Sequence, residues 1–270
     1  MRYATEPVAD RLAAVDGAAV GVLAFVGPAR RPVAYAVTPF VDGEDAVITS
    51  VLALLGKVAA IRRDPRVALL AGGVQLRGNA RVQLDETGTV FRARFQAQEL
   101  RKYPPSRVLL RLPFHRRFLW WYAGRAIIRL NTVVDATPGN DRITLAHLDG
   151  DGLPRLVPLT RLPRVDEPLI DLRAAGVSDP PPDGPACLLV HDEYRRYWDL
   201  RQLRLSGDIA RGEFVIRRRY GSLSPSPSGL REQISGLRAM SLTAGTNRRL
   251  LATWRDDQPG AEAARAERPT

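Results

Sequence analysis

Four residues in a short stretch of the chain combine a positive charge with hydroxyl groups. Thr49 and Ser50 end a predicted strand and begin a predicted helix, and Gly56 and Lys57 follow in that helix. A helix N-terminus favours anions, and the lysine ammonium can add a point charge to them. Lys57 is one of only two lysines in a chain with 40 basic residues, so arginine is the usual choice here. The pattern indicates a site for an anion such as a phosphate group.

Each of these residues also has a plain structural interpretation. Ser50 is a sensible helix cap without any ligand, and a lysine on a surface helix is usually solvated. Thr38, on a nearby predicted strand, can be an ordinary strand residue. Both interpretations stay open from the residues alone.

Short strands with one intervening helix are predicted around this stretch. Apolar runs and alternation indicate strands over 18–26, 32–38, 46–50, 66–71 and 74–84. Ser50 can cap a helix from about Leu52 to Arg63, which Asp64-Pro65 would stop. A second helix is predicted over 90–103 and a further strand over 126–134. Strands in close succession, with a helix between the third and fourth, predict a small barrel with segregated helices.

The second half of the chain repeats features of the first. Residues that recur at a constant offset of 122 positions are Leu23, Ala24, Pro32 and Thr38, matched by Leu145, Ala146, Pro154 and Thr160. Asp64–Leu70 is echoed by Asp183–Leu189, and Leu76–Asn79 by Leu205–Asp208. Several matches in one order predict an internal duplication. We expect copies over 1–135 and 136–255, followed by a disordered polar tail over 256–270.

The two copies differ at the candidate anion site. Where the first copy has the helix with Lys57, the second has Ser178–Pro185, which is rich in proline and has no cation. Such a stretch is incompatible with an ordinary helix. The sequence therefore predicts that only the first copy keeps a binding site.

Charge and cysteine content argue against a nucleic-acid-binding protein and against a disulfide-bonded secreted protein. The net charge of +11 is nearly all arginine, which a GC-rich coding sequence would produce, and the arginines are scattered. Nucleic acid is therefore not the expected partner. Cys187 is the only cysteine, so no intrachain disulfide is expected, and a reduced, cytoplasmic setting fits best. The most apolar stretch, 18–26, is too short to span a bilayer, and no secretory signal is evident.

The order of these motifs resembles a known family. Val47–Ser50, then Gly56-Lys57, then Ile61–Leu70 and a strand ending in Gly78 are similar to the core of the pyridoxamine 5′-phosphate oxidase-like split barrels. The resemblance covers about residues 18–85. It implies a mainly β fold with α-helices, a split β-barrel. Since family members usually dimerise around their cofactor, two tandem copies would form a pseudo-dimer within one chain.

The resemblance also implies a cofactor and the residues that bind it. The family binds FMN, and its site carries over to Thr38, Thr49, Ser50, Gly56 and Lys57. The hydroxyls and the ammonium would hold the phosphate, and Gly56 would allow a close backbone approach.

The second predicted strand has small residues on one face, where the family's oxidase is thought to bind substrate phosphate. Ala34, Ala36 and Thr38 share a small face against which a flat ring could lie. The oxidase itself is thought to carry arginines on this strand for the substrate phosphate, so oxidation of pyridoxamine phosphate is not expected here.

Several functional alternatives stay open. The resemblance favours a flavin-binding oxidoreductase that transfers hydride to or from a small-molecule substrate, with no catalytic side chain assigned. An 8-hydroxy-5-deazaflavin coenzyme could replace FMN, and a haem with His147 or His191 as ligand is a further alternative. The chain could also be a non-catalytic binding protein. Its three histidines lack metal-ligand spacing, so no metal site is expected, and it could be monomeric or a homodimer.

Overall fold

A computed structural model describes residues 8–102, 120–136, 141–161, 163–194, 199–223 and 230–256. The described chain is mainly β with α-helices, and its strands form two antiparallel sheets. No helix in these ranges combines the length and apolarity that crossing a bilayer requires. The predicted tail beyond Asp256 lies outside the described residues.

The first sheet is built from the N-terminal half of the chain. Its strands are β1 (Gly21–Val26), β2 (Pro32–Val37), β3 (Pro39–Asp42), β4 (Asp45–Val51), β5 (Arg66–Ala71), β6 (Val74–Asp85) and β7 (Arg125–Ala136). They lie in the order β2-β1-β5-β6-β7-β4-β3. The helices are α1 (Val8–Gly17), α2 (Gly56–Arg63), α3 (Thr89–Arg94), α4 (Gln96–Lys102), α5 (Trp120–Ala123) and α6 (Leu230–Asp256).

The second sheet is built from the C-terminal half. Its strands are β8 (Ile143–Leu148), β9 (Pro154–Pro158), β10 (Leu169–Asp171), β11 (Gly184–Tyr194), β12 (Asp199–Ala210) and β13 (Glu213–Ser222). They lie in the order β10-β13-β12-β11-β8-β9. Read from the opposite edge, this is the order of the first sheet, except that the described residues of the second copy form no equivalent of β3.

The strand registers confirm the duplication. In the first sheet Leu23 lies opposite Tyr35 on one side and Leu69 on the other. In the second sheet Leu145 lies opposite Val157 and Leu188, which are the residues that the sequence repeat matches to Tyr35 and Leu69. Because a slip of one residue would turn every side chain to the other face, equal registers mean equal faces in both copies.

The helix that bears Lys57 has no counterpart between β10 and β11, a stretch of the second copy that the structure describes in full. Between β10 and β11 the chain runs through turns and bends over residues 172–183. This confirms the prediction from Ser178–Pro185, since proline lacks the amide hydrogen that a helix interior needs.

Three local predictions need correction. The helix predicted from Leu52 begins at Gly56, because β4 continues to Val51 and the Ser50 hydroxyl donates to the carbonyl of Leu54 (3.0 Å), closing a turn. Ser50 is therefore not the helix cap. The helix predicted over 90–103 is two helices, α3 and α4, separated at Phe95. The strand β3 was not predicted.

The two sheets meet in one buried apolar cluster. Its members from the first copy are Val22, Ala24, Ala34, Ala68 and Leu70, and those from the second are Ala146, Leu156, Cys187 and Leu189. Ala36 packs against the same cluster. The small face of β2 thus lies against the second copy, where alanines allow the sheets to approach closely. A ring on that face would compete with this packing.

The long C-terminal helix packs against the first copy, although it lies within the predicted second segment. Ala244, Leu251 and Trp254 of α6 belong to the core of the first sheet. The Asn247 amide donates to the carbonyl of Leu52 (3.0 Å), in the loop that leads to α2. The helix therefore supports the segment that presents Lys57.

Candidate functional site

A cavity of about 870 Å³ lies where the two copies meet. We call it the interface cavity. Its first-copy walls come mainly from the turn before β2, from β2 itself and from α2, with Phe25 of β1. Its second-copy wall comes mainly from β12 and β13, with Cys187 of β11. The lining residues used below are Tyr35, Gly56, Lys57, Arg204, Ser206, Asp208, Arg217, Arg218 and Tyr220. Its volume lies in the range typical of small-molecule and cofactor sites.

Lys57 brings an uncompensated cation into this cavity. Its side chain is partly buried, and it has no hydrogen-bond or ion-pair partner within the described part of the chain. Burial lowers the pKa of its ammonium from 10.5 to about 8, since the charged form loses hydration. A lysine in this setting gains from an anionic ligand, which would supply the missing partner.

Gly56 lies beside Lys57 at the start of α2, where backbone amides are not used inside the helix. A Cβ atom added at Gly56 would meet nothing within 4 Å. The fold therefore has no steric need for glycine at this position. The open space at the helix start agrees with the predicted close approach of a ligand to the backbone.

The structure brings together two of the five predicted site residues. Gly56 and Lys57 line the interface cavity, whereas Thr38, Thr49 and Ser50 are not among its lining residues. Thr49 pairs with Ile127 inside the first sheet, and Thr38 lies between β2 and β3. The Ser50 side chain is buried, with its hydroxyl in the turn described above. A role for these three in ligand binding stays a prediction.

Sequence reasoning missed the second-copy wall of the cavity. Arg204 of β12 stacks between two tyrosine rings, with its guanidinium carbon 4.5 Å from the centroid of Tyr35 and 4.6 Å from that of Tyr220. One of its nitrogens, Nη1, is buried and has no hydrogen-bond partner among the residues that the structure describes. A buried charged donor of this kind is costly unless a ligand pairs with it.

A β-bulge shapes the same wall. Ser206 lies opposite Arg218, but Gly207 lies opposite Ile216, so Arg217 is an extra residue in β13. As a result two consecutive arginines, Arg217 and Arg218, both line the cavity, although neighbouring strand residues normally face opposite sides. A Cβ at Gly207 would collide with the carbonyl oxygen of Val215, so the bulge requires glycine there.

One carboxylate of the wall is already paired. Asp208 accepts from Arg31 of the first copy at 2.7 Å and from Nε of Arg217 at 3.2 Å. Partial burial alone would raise the pKa of Asp208, but the two guanidinium groups together outweigh it and lower the pKa below its usual value. The Arg31 guanidinium also donates to the Gly207 carbonyl (2.6 Å), which fixes the turn before β2 against the second copy.

The equivalent place in the other half of the pseudo-dimer is closed by direct contacts. By the sequence repeat, Gln75 and Arg77 of β6 correspond to Arg204 and Ser206. Gln75 accepts from the amide of Leu156 at 2.7 Å. Arg77 forms an ion pair with Asp149 and donates to the Pro154 carbonyl at 3.1 Å. These groups are used for joining the copies instead of for a ligand.

Two buried histidines lie apart from the cavity. His147 Nδ1 is 3.2 Å from the carbonyl oxygen of Leu148, and His191 Nε2 is 3.1 Å from that of Asp141. Burial lowers the pKa of both imidazoles. Neither histidine is among the residues that line the cavity. No group of three or more metal-ligating side chains occurs within the described ranges.

Comparisons with known proteins give structural likeness over part of the chain. Neither a protein-family model nor a curated protein matches the sequence. A conserved hypothetical protein from Mycobacterium tuberculosis is 18% identical, with a TM-score of 0.38 over 50% of this chain and 86% of that one. An F420 reductase is 20% identical, with a TM-score of 0.34, and the match covers 46% of this chain and 95% of the reductase. A pyridoxamine 5′-phosphate oxidase-related, FMN binding protein from Nostoc punctiforme is 14% identical, with a TM-score of 0.31. That match covers 58% of this chain and 97% of the Nostoc protein.

The strands themselves establish the architecture. Both sheets share a strand order, and their equivalent strands share registers. The described part of the chain is thus a mainly β pseudo-dimer of two tandem copies.

Proposed function

We propose that the chain binds a flavin or deazaflavin coenzyme in the interface cavity and uses it to transfer hydride to or from a small molecule. The observation that carries this proposal is Lys57, a partly buried cation that lines the interface cavity and has no partner among the described residues; apolar side chains line the cavity beside it. A ligand with an anionic group on a flat, largely apolar body satisfies both features.

The chain's own residues would have distinct roles toward such a coenzyme. Lys57 and the backbone amides of the first turn of α2, which an α-helix leaves without internal partners, would hold its phosphate. The apolar side chains of Val33, Ala59 and Ala60 would contact its ring system and exclude water. When bound, the coenzyme supplies the hydride chemistry, and the protein supplies position and polarity.

We expect one coenzyme per chain. The first copy supplies the α2 wall, whereas the described stretch between β10 and β11 of the second copy contains no equivalent helix. Gln75 and Arg77 close the equivalent place with direct contacts. Titration of the purified protein with FMN, and separately with the deazaflavin coenzyme, should saturate near one equivalent of one of them. Absorbance of the bound coenzyme and calorimetry both measure this stoichiometry. Two equivalents would show that the second copy also has a working site.

The matched variants for this titration are Lys57→Ala and Arg164→Ala. Both remove one positive charge, but Arg164 is highly exposed and lies outside the cavity, in a weak surface pair with Glu167. The proposal expects the first variant to lose most of the affinity and the second to bind like wild type. If neither coenzyme binds, or if both variants behave alike, the proposal fails.

Binding of the coenzyme should also weaken as the pH rises through about 8 and above. The pKa of Lys57 in the ligand-free protein is about 8, so the ammonium loses its proton in this range while a phosphate stays doubly charged. A bound phosphate would raise the pKa, so the loss should extend above pH 8. Lys57→Arg keeps its charge over this range and should bind with little pH dependence. Dissociation constants from pH 6.5 to 9.5 test this, and equal slopes for both proteins would contradict it.

A non-catalytic binding protein is the other class to separate. In that case the coenzyme would bind as described, but neither NADPH nor a reduced deazaflavin would reduce it. The interface cavity does not support haem binding, because neither His147 nor His191 is among its lining residues. A Soret band on adding haem, lost in His191→Ala, would revive that alternative.

A further inference from the structure

We infer that the β12–β13 wall of the interface cavity is a second anion site, which recognises a carboxylate or phosphate group of the substrate. This inference rests on the proposed function, because it assigns the α2 wall to the coenzyme. It names the substrate class as small molecules with an oxyanion group.

The first support is the guanidinium of Arg204. Its two aromatic contacts hold its plane in place, so little side-chain entropy is lost when it binds. Its buried Nη1 lacks an acceptor within the described part of the chain. An oxyanion at the cavity face of Arg204 would supply that acceptor through a charge-assisted hydrogen bond.

The second support is the bulge in β13, which turns Arg217 and Arg218 to the same cavity. The corresponding pairing of β6 with β7 in the first copy runs without a register shift. The bulge therefore occurs in the strand pair that lines the cavity, and bulges often re-aim side chains beside functional sites. Arg217 is paired with Asp208, whereas Arg218 has no acidic partner within the described residues.

The cavity also carries enough positive charge to bind more than one anion. Four lining cations have no carboxylate partner within the described residues: Lys57, Arg63, Arg204 and Arg218. A phosphate monoester carries a charge of about −1.5 to −2 at neutral pH, so the coenzyme phosphate compensates about two of them. Lys57 and Arg63 belong to α2 of the first copy, and the two arginines belong to the second copy. The uncompensated pair therefore lies together on the wall opposite the coenzyme phosphate.

The test is a titration of inorganic phosphate, and separately of acetate, into protein that is saturated with coenzyme, followed by calorimetry. The coenzyme then occupies the Lys57 side, so the heat reports the β12–β13 wall. Arg218→Ala should weaken phosphate binding by about tenfold, as expected for one charge-assisted contact, and leave coenzyme affinity within about threefold. Arg204→Gln should show the same pattern.

Arg219→Ala is the matched control. Arg219 is the next residue in β13 and carries the same charge, but it donates to the carbonyls of Asp166 and Glu167 outside the cavity. Its replacement should leave phosphate binding within about twofold. The inference is overturned if the loaded protein binds no phosphate, if Arg219→Ala weakens binding as much as Arg218→Ala, or if Arg218→Ala removes coenzyme binding.

Failure of the proposed function would look different. If no coenzyme binds, phosphate is titrated into the ligand-free protein. Two sites are then expected, one lost in Lys57→Ala and the other lost in Arg218→Ala. A single site that both variants abolish would overturn the second anion site.

Discussion

Replacing Lys57 by methionine is expected to weaken coenzyme binding by about a hundredfold and, at the same time, to stabilise the ligand-free protein. A hydrogen bond to a charged group contributes about 1.5–3 kcal/mol, which is a factor of about 10 to 100 in affinity. The loss should lie near the upper end because Lys57 is partly buried and has no competing partner within the described residues. Methionine keeps the unbranched shape of the side chain and removes only the charge.

The gain in stability follows from the lowered pKa of Lys57. Its pKa is about 8 in the folded protein and 10.5 ordinarily, so the folded state binds the proton less tightly than the unfolded chain does. The penalty for keeping the ammonium charged is full below about pH 8 and fades as the pH rises towards 10.5. After allowance for partial exposure, the gain from Lys57→Met at pH 7 should be about 1 kcal/mol.

Urea unfolding at pH 7, with and without coenzyme, measures both effects. Without coenzyme the methionine variant should be the more stable protein. With coenzyme in excess the order should reverse, because a tightly bound ligand stabilises the folded state of the wild type more. Lys57→Arg is the control, since it retains the charge and should not stabilise the free protein. A methionine variant that is less stable than wild type without ligand would contradict this account of Lys57.

The strands and the duplication could be predicted because their signals are local or repeated. Continuous apolar runs such as Gly21–Val26 and alternating ones such as Pro32–Val37 fix strands directly. The constant offset between Leu23 and Leu145 carries over to the registers, since pairing follows the faces of the strands. The first residue of α2 could not be predicted from such a pattern. The Ser50 hydroxyl, which the sequence suggested as a helix cap, instead closes a turn for which the sequence has no recognisable signal.

The candidate site could be predicted only on its first-copy side. Gly56 and Lys57 lie next to each other in sequence, and the scarcity of lysine drew attention to them. Arg204, Arg217 and Arg218 looked like part of a scattered arginine excess. Their convergence depends on the bulge and on the packing of one copy against the other. The repeat of Leu76–Asn79 in Leu205–Asp208 was the signal that could have placed β12 at the site.

The small face of β2 shows how one pattern can have two causes. Ala34 and Ala36 were predicted to leave room for a flat ring, and small residues serve that purpose well. In the structure both pack in the cluster that joins the two sheets, where Ala34 is fully buried. Small side chains there bring the sheets into contact, which a sequence without its fold cannot distinguish from an open surface.

That same cluster makes the second large prediction possible. Leu189→Ala should lower the free energy of unfolding by about 2–5 kcal/mol, because Leu189 is fully buried between the two copies and its loss leaves a cavity. Coenzyme affinity should fall as well, since the interface cavity takes its walls from both copies. Leu242→Ala is the control: this side chain is 68% exposed on α6, and its loss should change stability by no more than about 0.5 kcal/mol.

The shape of the unfolding curve tests what the cluster does. Because the copies share a buried core, and because α6 from the end of the chain packs on the first copy, both should unfold in one transition in the wild type. Urea unfolding followed by fluorescence and by circular dichroism should then give the same midpoint concentration. Leu189→Ala should lower the midpoint by the same amount with either probe. If Leu189→Ala instead lowers only one of two separate transitions, the copies are independent domains. The interface cavity would then depend on a weak contact that ligand binding must itself maintain.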